Sequence, residues 1–148
     1  AYDVWLGLEF RRVLFRSSVF AKISDDLGTS TASAAIAEGR FLERSGADTV
    51  AQCNNAADVS VGVSACSAAN GGDVRVYLPG QIAKVQAAAD LNPATAAHCL
   101  ITSDADGKAV AAAQGNRIMG LWLRQPGEDP GADDFITVLI SDQLTIHP

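Results

Sequence analysis

Between Gly39 and Ser141 the chain is a succession of short runs rich in β-branched and aromatic residues, each closed by glycine, aspartate, asparagine or proline. That punctuation restricts the fold more than any other feature, because short strands separated by turn residues build all-β sandwiches and barrels. The runs are Arg40–Arg44, Thr49–Cys53, Val59–Ser64, Val74–Leu78, Ile82–Ala87, Cys99–Ser103, Ala109–Ala112, Arg117–Arg124 and Phe135–Ser141. Several alternate. Val59, Val61 and Val63 fall on one face if the strand is regular, and Val74, Val76 and Leu78 do the same. Ser45–Asp48, Asn70–Asp73 and Asp104–Gly107 supply the turn residues that let neighbouring runs reverse as hairpins. The expected fold is therefore a mainly β, small sandwich or barrel-like domain of antiparallel strands and hairpins. One short helix is allowed, at Asn92–Ala97, with asparagine at the N-cap and Pro93 at the first helical position.

The order of these features repeats. Phe41–Leu78 and Cys99–Ile140 both run strand, acidic glycine-containing turn, strand, a segment with apolar-Gly-apolar, a Gly/Asp loop and a last strand, displaced by about sixty residues. Val61-Gly62-Val63 answers Met119-Gly120-Leu121. Such a duplication predicts two half-sheets that bury their apolar faces on each other.

Upstream of Gly39 the pattern stops. Leu8–Ser17, LEFRRVLFRS, resembles the translation of a common short-read sequencing adapter, so residues 1–17 are set aside as non-native before any fold reasoning. Ser24–Ala37 is rich in Ser, Thr, Ala and Asp with little periodic hydrophobicity, and residues 18–38 are expected to form a flexible arm that orders on docking. The β-rich domain is then 39–142, followed by a tail, 143–148. With 148 residues, 48% hydrophobic and 19% charged, one globular domain is the expectation.

Charge and chemistry narrow the function by exclusion. A formal charge of −6 repels phosphate backbones and anionic lipid, so neither nucleic acid nor membrane is an expected partner. Setting aside residues 1–17, with three arginines, leaves the remainder more acidic still. No apolar run reaches the ~20 residues that span a bilayer, and no segment reads as an export signal. Cys53, Cys66 and Cys99 fit neither a paired disulfide framework nor zinc spacing, and read as small buried thiols. His98 adjoins Cys99, but neighbours in a strand face opposite ways, and His147 is the penultimate residue. Asp104-Ala-Asp106-Gly107 opens like a calcium loop but has Ala113 where that loop needs glutamate, so it reads as a turn without metal. The acidic stretch Gly127–Asp134 reads as a solvated connection. No catalytic residue, cofactor or metal is nominated, and an enzyme is not expected. Trp122, flanked by Leu121 and Leu123, is the candidate interface anchor, on the expectation that it points away from the core.

Taken in order, Gly39-Arg40-Phe41-Leu42, Val61-Gly62-Val63, Gly72-Asp73-Val74-Arg75-Val76, Cys99–Val110 and Ile118-Met119-Gly120 resemble the cement, or decoration, proteins of tailed-phage capsids, formerly a domain of unknown function. The resemblance spans about Gly39 to Ser141; the loop Gln125–Asp134 and tail Gln143–Pro148 look longer than the family pattern. It implies a structural virion protein, made in the host cytoplasm, that binds the major capsid protein on the outside of an expanded shell as a homotrimer. It supplies no catalytic residues. A receptor- or glycan-binding β-module of a tail or adhesin is the competing reading.

Overall fold

The computed structural model describes residues 28–89, 91 and 100–141. The expected helix at 92–97, the adapter-like tract, residues 18–27, His98, Cys99, His147 and the tail 143–148 lie outside the described residues. The described chain is all β: β1 Thr29–Ala32, β2 Phe41–Arg44, β3 Thr49–Gln52, β4 Ser60–Ser64, β5 Asp73–Tyr77, β6 Ile82–Gln86, β7 Leu100–Ser103, β8 Ala109–Ala111, β9 Gly120–Trp122 and β10 Phe135–Ile140. Every strand expected from the punctuation is present, within a few residues of its expected ends.

β1–β5 close into a barrel in the order β1-β3-β2-β4-β5, and β6–β10 form a five-stranded sheet in the order β6-β10-β9-β7-β8. These are the same path walked twice. In the first unit Leu42 on β2 faces Gln52 on β3 and Gly62 on β4; in the second, Ile101 on β7 faces Ala111 on β8 and Gly120 on β9. β5 meets β4 at Tyr77↔Val63, and β10 meets β9 at Leu139↔Leu121. β1 runs antiparallel to β5 and parallel to β3, through Ala32↔Val50; β6 runs antiparallel to β10 and touches β8 through one parallel bridge, Ala87↔Ala109. The echo in sequence is therefore a repeat in register. It differs from the expected pair of half-sheets in two ways: a further strand, β1 or β6, precedes each half, and a parallel contact closes each half on itself.

The repeat dictates where the cores lie. Ala32, Leu42, Val50, Val74 and Val76 fill the first barrel, and their counterparts Ala87, Ile101, Ala109, Ile136 and Val138 fill the second unit. Full burial of side chains such as these favours folding by roughly 1.5–3 kcal/mol for each Val, Leu or Ile. Val63 breaks the simple alternation read from Val59–Val63. The β2–β4 register shifts between Leu42 and Glu43, so Glu43 faces Ser60 and one extra residue is accommodated on β4. Val61 consequently packs with the first barrel, Val63 joins the core of the second unit, and Val59 is exposed.

The expected arm is corrected over its described part. Thr29–Ala32 is a strand of the closed barrel: Ala32 N–H donates to Gly72 O at 2.8 Å, and Ser33 N–H to Val50 O at 2.9 Å. Ile36, buried, bridges Ala68. Thr29 faces solvent while Ala32 is buried, so a strand with one small inward residue looked like a polar linker. Threonine suits a pleated, half-buried surface for the same reason that valine does.

Candidate docking surface

The two units are joined by a sheet face entering a seam. Phe41, Val63 and Tyr77 are cross-strand partners on the outer face of the first barrel. Phe41 and Val63 are fully buried, in one cluster with Ala83, Val85, Ala109 and Trp122 of the second unit. The chain entering β2 lies between β6 and the β7–β8 turn. Gln86 N–H donates to Gly39 O at 2.9 Å, and Phe41 N–H donates to Gly107 O at 2.8 Å. Gly39, at φ +70°, is required there, since a Cβ would come within 2.6 Å of Phe135 Cε1.

The second unit carries the counterpart of that buried face. Leu100, Leu121 and Leu139 are directly opposite one another on β7, β9 and β10, and Ile82 on β6 continues the row beyond Leu139. Four strands at the usual spacing make this an aliphatic row roughly 14 Å wide. Leu121 is 37% exposed and Ile82 58%, with Leu100 and Leu139 half-buried. One row along, the face turns polar: Lys84 Nζ donates to Thr137 Oγ1 at 2.7 Å. Tyr77 and Ile82 share the lining of a groove of about 240 Å³ between the units, so the row continues to the exposed Tyr77 of the first barrel. A contiguous row of large aliphatic side chains with a polar border is the form of a protein-docking surface.

Sequence reasoning nominated Trp122, Leu121 and Leu123 as a possible interface, and of these only Leu121 belongs to the row. Alternation with Leu121 and Leu123 was expected to turn Trp122 outward; instead Leu121 is exposed, Leu123 half-buried, and Trp122 is only 1% exposed and packs in the core of the second unit. Its orientation follows from Gly120, which turns inward with it and lacks a side chain because Val138 Cγ1 occupies that space. The Arg124 guanidinium carbon lies 5.9 Å from the Trp122 ring centroid. Alternation has no power to orient a strand that is apolar on both faces. Ile82, Leu100 and Leu139 were missed, although the nearly unbroken apolar run Phe135-Ile-Thr-Val-Leu-Ile140 signals a strand with both faces engaged.

The other candidates resolve as structure. Asp104 Oδ1 accepts from Asp106 N–H and Lys108 N–H, each at 2.8 Å, and Gly107 takes φ +75°, so the calcium-like sequence is the β7–β8 turn. The acidic loop is pinned at its end: Ala87 N–H donates to Asp134 O, Asp133 N–H to Ala87 O, and Lys108 Nζ lies 2.6 Å from Asp133 Oδ1. The hydrogen bond and charge of Lys108 hold the Asp133 carboxyl below the usual carboxylate range. Cys53 is buried, and desolvation, reinforced by Asp58 and Glu43, pushes its thiol far up, leaving it unreactive. Among the described residues no group of His, Cys, Asp and Glu is arranged to hold a metal ion. Also among these, no helix is long and apolar enough to cross a membrane.

Neither a family model nor a curated protein sequence matches the chain. A solved structure does. The crystal structure of the head fiber gp8.5 N base of bacteriophage phi29 superposes with a TM-score of 0.57 at 20% identity, covering 80% of this chain and 96% of that one. The two share a fold.

Proposed function

We propose that this chain is a structural protein of a tailed-phage virion that binds the major capsid protein on the outer surface of the expanded shell and stabilises it. The observation that carries the reading is the fold: a paired five-stranded architecture that covers nearly the whole of a phage head-fiber base. The cement-protein resemblance of the sequence from Gly39 to Ser141 points the same way. An acidic, β-rich protein with an aliphatic docking row suits a decorator. Many equivalent shell sites, and a trimer presenting three contacts, let modest individual affinities add through effective concentration. No cofactor enters this role.

The test is co-sedimentation with expanded, DNA-free heads of the phage that carries the gene. Saturable pelleting with the heads is expected. A protein that stays in the supernatant while the heads pellet, and instead binds host surface extracts, would replace this reading with the receptor-module one.

A further inference from the structure

Arg40 enters β2 at the junction of the two units, and its charge has no counter-ion in contact. Its Nε is shut from solvent without a hydrogen-bond partner, and Nη1 lies 3.5 Å from the backbone oxygen of Asp106, a long and weak contact. Among the described residues no carboxylate stands within ion-pair distance of it. Asp133 feels Arg40 only at longer range and is itself in contact with Lys108. A partly desolvated guanidinium without a charged partner is unfavourable, and an external carboxylate relieves it.

Arg40 lines a cleft of about 420 Å³ built from both units, with Ile36, Ala37 and Gln52 from the first and Asp106 and Lys108 from the β7–β8 turn of the second. That volume falls in the range that small ligands occupy, roughly 300–1,000 Å³. Gln52 has a fixed polarity there. Its Oε1 accepts from Ala37 N–H at 2.8 Å, which leaves the amide nitrogen with two donors and no acceptor among the described residues. Lys108 keeps ammonium donors beyond the one given to Asp133. The Asp106 side chain is exposed and brings a carboxylate to the same lining, while Ile36 and Ala37 add apolar surface.

This chemistry selects a class of ligand. The planar fork of Arg40, with the Gln52 amide, matches a carboxylate. Asp106 repels a bare anion and favours one that carries hydroxyl donors beside its charge. Apolar carbon suits the C–H side of a pyranose ring. We infer that the Arg40 cleft binds a carboxylated sugar residue of the hexuronate class, its carboxylate on Arg40 and Gln52 and its hydroxyls toward Asp106. The formal charge of −6 does not prevent this, because exposed charges beyond ~8 Å are largely screened at physiological salt. The site adds a ligand to the shell-bound role and does not depend on it.

NMR of the isotopically labelled full chain, without heads, tests this. The Arg40 Nε–H signal is identified by its absence in Arg40→Lys, and the Gln52 amide by its absence in Gln52→Glu. Methyl glucuronide or methyl galacturonide should shift both signals saturably. Methyl glucoside, which lacks the carboxylate, and glutarate, which lacks the hydroxyls, should each bind at least ~tenfold more weakly. Gln52→Glu keeps an acceptor for Ala37 N–H but replaces the amide donors with a carboxylate oxygen, and should weaken sugar-acid binding by a similar factor at the Arg40 signal. Thermal melts identify folded variants. If Gln52→Glu does not fold, Arg40→Lys, read at the Gln52 amide, should show the same weakening through loss of the fork. No saturable shift with either sugar acid overturns the inference, as does equal binding of methyl glucoside or undiminished binding by the folded variant. Equal binding of glutarate also overturns it, since the cleft then takes any carboxylate, such as an acidic side chain of a partner protein. Failure here with retained head binding leaves the capsid reading standing, and sugar-acid binding by a chain that ignores heads leaves this one.

Discussion

Gly62 and Gly120 stand at the same node of two copies of one five-stranded unit, Gly62 opposite Leu42 and Gly120 opposite Ile101. A Cβ at Gly62 would strike the carbonyl oxygen of Tyr77, and one at Gly120 would strike Val138 Cγ1. The repeat is therefore constrained twice by the same steric requirement, at the equivalent strands β4 of the barrel and β9 of the sheet.

Alanine at either node should be costly. Gly120→Ala is expected to lose about 1–3 kcal/mol through overpacking. Gly62→Ala should lose at least as much, because its obstacle is backbone and its φ is +155°. Gly115→Ala, at φ +84° with nothing within 4 Å of the added atom, supplies the conformational cost alone, about 1–2 kcal/mol. Urea denaturation of the three variants ranks them.

The inward orientation of Trp122 separates it from its neighbour. Trp122→Ala should destabilise the fold by about 3–5 kcal/mol through the cavity it leaves. Leu121→Ala, at an exposed position, should change stability by less than ~1 kcal/mol and act on docking instead. Equal losses in chemical denaturation would contradict the assignment.

β1 belongs to the fold and not to a linker. A chain starting at Ser33 lacks the strand that links β3 to β5 and should lose the cooperative unfolding of the first barrel. A chain starting at Ser18 lacks only the adapter-like tract and should melt with the full chain. Circular dichroism melts of both distinguish a structural strand from a dispensable arm.

Asp133 should give a pH signature. Lys108 lowers its folded pKa, so its contribution is present above the unfolded value of about 4 and is lost as pH falls through the lower, folded value. Asp133→Asn keeps a residue tolerant of the local φ of +69° while removing the charge. The variant should be less stable than wild type at neutral pH, with the gap closing at about pH 3 and below. Urea midpoints at the two pH values check this.

Much of the fold was legible because its determinants are local. Turns such as Asp104–Gly107 carry their own backbone chemistry, and Val74–Leu78 alternates because one side faces a core. What was misread depends on contacts distant in sequence. β1 is recognisable only through its parallel pairing with β3, and Val63 leaves the face of Val61 only because of a bulge set against β2. The aliphatic row assembles from β6, β7, β9 and β10, so Ile82 and Leu100 line up with Leu121 and Leu139 only once their strands lie side by side. Trp122 was misoriented because its strand has leucine on one face and a core on the other, a pattern without a polar side.

The most direct test of the central proposal is a cryo-electron microscopy reconstruction of mature heads from the phage that carries the gene. The account predicts repeated density on the outer surface of the shell that fits paired five-stranded units and contacts the major capsid protein. A bare outer shell, with the same density found at the tail tip, would contradict it.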